Sequence, residues 1–349
     1  MLLERRITYE GSCGSPLSLC GGEKMGNIKS FKSYDQQVDF LINEKGLIIS
    51  NRLKAIELLK KHSYFDLING YKYPFKSKDG KYKKNTSIED IYYLYCFDDK
   101  IRYSLMKCLM EVEIHIKSLL SYSFCETFGE NQQKYLDATN YNYVGNPNLQ
   151  NGINKLIQIL NDTLNDYNSF KYIKHQKITY NNVPLWVISK AMTFGNISKM
   201  YSFQKPEIQS KISKEFIGIS EGDLVSFLDL LSRFRNVCAH NERLFDYKYL
   251  KRNISDTEIH KILKIDKKNN EFSKGKSDLF AVIISLKYLI SDESFKNLIT
   301  EIENSIKDLF SKTKQIQRLQ LYKYMGFPEN WNDIKNISLE GIKNKCLIN

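Results

Sequence analysis

Apolar positions along this chain recur every three or four residues and almost nowhere alternate one for one. The clearest run lies between residues 87 and 128, where Ile91, Leu94, Tyr95, Ile101, Leu105, Leu109, Val112, Ile116 and Leu119 share one helical stripe. That spacing predicts one long scaffold helix or a helix pair. A second stripe opens near residue 221 with Leu224, Phe227, Leu228, Leu231, Phe234 and Cys238. Two short helices are expected around Gly46, with Val38, Leu41 and Ile42 facing inward. Further helical spacing covers residues 149–167, a helix opened by Pro184 in PLWVISKAMTFGNISKMYSF, residues 278–309, and residues 316–324. With no strand rhythm and no internal repeat, the fold class is all-α.

The breaks in the pattern carry information too. NGYKYPFKSKDGKYKKN, with Gly70, Pro74 and Gly80 and five lysines between Lys76 and Lys84, reads as a solvated basic loop that could meet phosphate. Residues 253–276 are polar and lysine-rich and read as an exposed excursion. KGKS at 274–277 has the ending of a phosphate-binding loop, but Asn270 stands where the first glycine is needed and no strand precedes it, so it is rejected. DLFAVIISLKYLI, residues 278–290, is too short to span a bilayer and contains Lys287, so it is a core helix and no membrane partner is expected. Residues 1–32 lack the apolar run of a signal peptide and read as a flexible leader, with Met25 as an alternative start. The main domain then occupies residues 33–331 and a tail residues 332–349.

Composition narrows the class. Hydrophobic residues make up 42% of the 349, which excludes wholesale disorder and allows a substantial core. The net charge of +12 suits a polyanionic partner, although lysines dominate it and a proteome-wide bias would look the same. Seven scattered cysteines, with no CxxC pair and no ligand spacing against the five histidines, indicate reduced thiols, a cytoplasmic setting, no metal and no cofactor.

The densest polar chemistry sits in RFRNVCAHNERLFDY, residues 233–247. Spacing alone says little, because nine arginines and five histidines give roughly 0.4 chance matches when four to six residues are allowed between an Arg and a His. Helix geometry says more. At about 100° per residue Asn236 and His240 share a face, while Arg235 lies about 140° from His240 and inside the apolar stripe. A guanidinium aimed there needs a partner, on a packed helix or across an interface. On residues alone His240 could equally be a capping histidine and Arg235 half of a salt bridge. Glu113 and Lys117 form an i,i+4 pair that could be a surface ion pair and nothing more.

AHNERLFDY resembles the signature of the Abi, or abortive-infection, family of bacterial phage-defence proteins, whose core is a HEPN (higher eukaryotes and prokaryotes nucleotide-binding) helical bundle. Five further stretches are similar in the same order: SYDQQVDFLINEKGLIISNRLKAIELLKKHSYFDLINGYKYPF, VEIHIKSLLSY with its Glu113-x3-Lys117 pattern, VPLWVISKAMTFGNISKMY, and the closing DLFAVIISLKYLI and MGFPENW. The resemblance spans residues 33–331 and implies a HEPN core at about 87–250 with C-terminal helices at 278–331.

What the resemblance implies is a metal-independent endoribonuclease toxin with Arg235, Asn236 and His240 as catalytic residues. Glu113, Lys117, His175, Arg233, Asn241 and Arg243 would support them or bind RNA. Two R-x4-H motifs would meet in a homodimer, with RNA as substrate and a small regulatory RNA as a further partner in a toxin–antitoxin arrangement. The residue types suit the chemistry: the 2′-OH of RNA is the nucleophile, His240 moves protons near neutral pH, and Arg235 holds charge on the phosphorane. Two other readings use the same residues, a non-catalytic RNA-binding module and a helical scaffold in which Arg235 is an interface salt bridge.

Overall fold

A computed structural model describes residues 30–341. The expected leader and the start at Met25 fall almost wholly outside these residues, as do residues 342–349 of the tail. The all-α expectation holds. In chain order the helices are α1 (Tyr34–Asp39), α2 (Arg52–His62), α3 (Ile88–Phe128), α4 (Gln132–Leu136), α5 (Pro147–Asn165), α6 (Lys171–Tyr180), α7 (Leu185–Ile188), α8 (Phe194–Ser202), α9 (Pro206–Ser213), α10 (Glu221–Ala239) and α11 (Glu258–Ile262). A two-residue antiparallel hairpin follows, β1 (Lys267–Lys268) and β2 (Glu271–Phe272), and then α12 (Leu279–Leu289), α13 (Asp292–Lys312) and α14 (Arg318–Met325). Both α1 and α2 run on into single π-helical stretches, Phe40–Glu44 and Ser63–Asn69.

The long stripe forms one helix. Ser87 accepts from the Asp90 N–H while the Asp90 carboxylate accepts from the Ser87 N–H, a capping box that starts α3. The helix then continues for 41 residues, roughly 60 Å at 1.5 Å per residue, until Gly129 at φ +90° stops it. Helices α10, α12 and α13 pack along it. Every residue of α12 is buried, as expected of its apolar sequence, and even Lys287 is enclosed, with its ammonium 2.9 Å from Asp292. Among the described residues no helix is long and apolar enough to cross a membrane.

Three local expectations are corrected. PLWVISKAMTFGNISKMYSF is not one helix: α7 and a 3-10 turn end at Ala191, and Thr193 caps a new start by accepting from the Asn196 N–H. Residues 253–276 are not an exposed excursion, because Ile254, Ile259, Leu263, Ile265 and Phe272 are buried and His260 is fully enclosed between Thr257 and the Gly275 carbonyl. Lys261, Lys264, Lys267 and Lys268 stay exposed there, and their number conceals the apolar spacing. The basic loop is anchored likewise by buried Tyr71, Phe75 and Tyr82, and Ile42, expected inside, is exposed.

Candidate active site at the end of helix α10

Helix α10 opens on another capping box, Ser220 with Asp223, and buries Leu224, Phe227, Leu228, Leu231 and Phe234. It runs unbroken past Arg235 and Asn236 and ends with His240 as its C-cap. Beyond it Asn241 adopts φ +56°, its N–H donating to the Cys238 carbonyl (3.3 Å) and the Glu242 N–H to the Val237 carbonyl (3.0 Å). This pair of reversed hydrogen bonds is the Schellman ending, in which asparagine tolerates the left-handed conformation better than most residues. Asn241 therefore shapes the backbone that presents His240.

The partner that Arg235 requires is Glu113 of α3. Arg235 Nε is buried 3.5 Å from Glu113 Oε2, an ion-pair contact longer than a good hydrogen bond, and Nε has no hydrogen-bond partner. Glu113 Oε1 accepts from Lys117 Nζ at 2.8 Å, and that ammonium also donates to the Met192 carbonyl at 2.8 Å. With side-chain exposures of 11% for Glu113 and 15% for Lys117, this is no surface ion pair. One carboxylate between two cations leaves the cluster with a formal charge of about +1, and the Arg235 side chain stays 29% exposed. Lys117 ties α3 to the link between α7 and α8 and spends its donors there.

Asn236 and His240 are exposed on the other side of the helix. Cys238 lies between them, and burial pushes its thiol up to about 12, which removes it as a thiolate nucleophile at neutral pH. Because α10 is unbroken, Arg235 and His240 keep the angular separation read from the sequence, and one protomer does not bring them onto one face.

A second polar cluster fixes the chain just after His240 and was not anticipated. Asp98, fully buried on α3, accepts from the Leu244 N–H (2.9 Å), the Phe245 N–H (2.7 Å) and the Tyr71 hydroxyl (2.7 Å), and pairs with Arg102 one turn along. Arg102 donates further to the Glu242 carbonyl and to Asp99. Burial pushes the Asp98 carboxyl up, and Arg102 with the three donors opposes that. Its signal was present in the sequence: Asp98 and Arg102 interrupt the Leu94, Ile101, Leu105 stripe just as Arg235 interrupts that of α10.

The other expected residues are dispersed. Arg243 donates to Asp246 and to the Gly70 carbonyl, each at 2.6 Å, and so braces the loop. Arg233 is exposed, its guanidinium 5.5 Å from the Tyr249 ring centroid. His175 is exposed on α6, with Thr179 and Tyr180 of its own helical segment as neighbours, and α6 packs on the turn at Tyr167–Ser169 and on α7 rather than on α10. Among the described residues no group of three or more His, Cys, Asp or Glu side chains is placed to hold a metal ion.

A family model described as Abi-like protein matches residues 57–246. Comparison with curated proteins and with solved structures gives no significant match. The matched span runs from α2 to Asp246 and contains α3, α10, the Glu113 cluster and the Asp98 cluster. Because it covers more than half of the sequence, the chain belongs to the Abi-like protein family.

Proposed function

We propose that this Abi-like protein is an abortive-infection effector in bacterial phage defence, acting as a metal-independent HEPN endoribonuclease. The observation that carries the reading is the division of labour at α10: Glu113 and Lys117 hold Arg235 in place with net positive charge, while Asn236 and His240 stand exposed one turn apart. In the reaction the 2′-oxygen attacks the adjacent phosphorus as its proton passes to one His240, and the P–O5′ bond breaks as a second His240 protonates the leaving oxygen. Arg235 stabilises the charge on the phosphorane. The products are a 2′,3′-cyclic phosphate and a 5′-hydroxyl. Asn236 orients the imidazole or the phosphate.

A second copy of the chain completes this site, since one α10 points Arg235 and His240 apart. Supporting that assembly, α3 exposes Tyr103, Met110 and Ile114, at 84%, 48% and 65%, on one face. A cleft lined by Tyr103, Met106, Cys238 and Asn241 joins this apolar face to the end of α10.

The test compares purified wild type with His240→Ala and Ile114→Glu on single-stranded RNA, with end mapping. Wild type is expected to leave 2′,3′-cyclic phosphate ends in the presence of EDTA. His240→Ala should bind RNA without cutting, and Ile114→Glu should be monomeric by light scattering and inactive. Full cleavage by His240→Ala would overturn the proposal. A phenotype in phage-infected cells that survives His240→Ala would favour the RNA-binding reading instead.

A further inference from the structure

Half of the chain's net charge of +12 arises in a stretch that the cleavage chemistry at α10 does not use. Residues 167–206 contain six lysines and no Asp, Glu or Arg. The stretch carries α6, α7, the 3-10 turn Ser189–Ala191 and α8. The acid just before it in sequence, Asp166, already accepts from the Ser169 hydroxyl at 2.9 Å. Two of the lysines are engaged within the fold: Lys177 donates to the Leu164 carbonyl at 3.1 Å, and Lys205 Nζ lies 5.2 Å from the Phe128 ring centroid. Lys171, Lys174 and Lys190 are exposed, and among the described residues none of the three is in an ion pair.

Charge alone would make this a wet surface, but it is interleaved with large apolar groups. Ile173 is the one buried residue of α6, and Lys171, Lys174 and Ile178 lie about 100° or more around the helix from it. Ile178 is 68% exposed, and Trp186 on the neighbouring α7 is 51% exposed. Lys190 stands about one turn beyond Trp186, with its Nζ 5.3 Å from the ring centroid of Tyr172 on α6. That contact joins the two elements into one face. Apolar rings and free ammonium groups side by side suit a ligand that alternates flat bases with phosphates, which is a single strand of nucleic acid.

The face also lies next to the mount of Arg235. The Met192 carbonyl that accepts from Lys117 Nζ is two residues beyond Lys190, at most about 7 Å of chain. We infer that α6 and the α7 turn form a track for single-stranded RNA, with phosphates at Lys171, Lys174 and Lys190 and a base stacked on Trp186. The track holds nucleotides flanking the bond cut at α10; in that respect it rests on the ribonuclease reading, whereas the binding itself is measured without cleavage.

Fluorescence anisotropy with a labelled 20-nucleotide single strand tests it, on the full chain carrying His240→Ala so that the RNA survives. Added to that chain, Lys171→Gln/Lys174→Gln should weaken binding about tenfold and flatten the dependence of log Kd on log salt by about 1.4, the release expected for two contacts to a single strand. Trp186→Ala should weaken binding about fivefold or more and leave the salt slope unchanged, because stacking releases no counterions. Lys307→Gln/Lys323→Gln, which removes two exposed lysines from α13 and α14, should change the affinity far less. A duplex of the same sequence should bind more weakly than the single strand. The track is overturned if both lysine pairs weaken binding equally, if the duplex binds as tightly, or if neither the α6 nor the Trp186 variant alters RNA affinity. In that last case, loss of phage defence in the same variants would assign the face to a protein partner. RNA binding through this face by a wild type that never cleaves would sink the ribonuclease reading and leave the track standing. Cleavage with unaltered affinity in the α6 and Trp186 variants would do the reverse.

Discussion

Asp98 and Glu113 are both carboxylates of helix α3 that engage an arginine, and they are built to opposite standards. Asp98 is wholly enclosed and takes an arginine, a phenol and two backbone amides, so nearly every lone pair is used. Glu113 meets Lys117 closely but Arg235 only at 3.5 Å, and that arginine stays 29% exposed. A closed network of this kind specifies one backbone path and leaves nothing for a ligand. A looser pair fixes the base of a guanidinium while the rest can still answer to a phosphate. The first arrangement is a clamp and the second a mount.

Mutation should separate the two on a scale of stability. Asp98→Ala, which takes the buried carboxylate from Arg102 and leaves two buried amide groups without an acceptor, is expected to cost about 3–5 kcal/mol in denaturant unfolding. Glu113→Gln should cost less, about 1–2 kcal/mol, yet lower RNA cleavage by about tenfold, because Arg235 loses its anchor while Lys117 keeps the Met192 carbonyl. His240→Ala, exposed at the helix end, should stay within about 0.5 kcal/mol of wild type while cleavage disappears. If Glu113→Gln proves as destabilising as Asp98→Ala with cleavage falling only in proportion to folded protein, the distinction between mount and clamp is lost.

Much of the helical frame was legible because α3, α10 and α12 announce themselves by period and composition. The need of Arg235 for a partner was legible too, since a charge in an apolar stripe is costly to leave alone. That the partner is Glu113 was not, because helix periodicity fixes which face a residue takes and not which distant face it meets. Asp98 and Arg102 show the same limit from the other side. Their place in the Leu94, Ile101, Leu105 stripe marks them as charges in need of partners, but not that residues 242–245 return to supply them. The segment at 253–276 was misread because composition averages its exposed lysines with the buried Ile259, Leu263 and Phe272. The basic loop was visible as a solvated stretch, but the buried Tyr71, Phe75 and Tyr82 that anchor it were hidden among its lysines and glycines.

The Asp98 clamp also imposes an order in time. It joins residues 146 positions apart, so a growing chain that has already wound α3 holds Asp98 and Arg102 with each other and Tyr71 but without their backbone partners until Leu244 has been made. At about 5–20 residues per second that interval lasts roughly 7–30 s. Through it the residues that end α10 do not yet exist, and the ribosome finishes the long central helix well before the chain has an end of α10 to fasten to it.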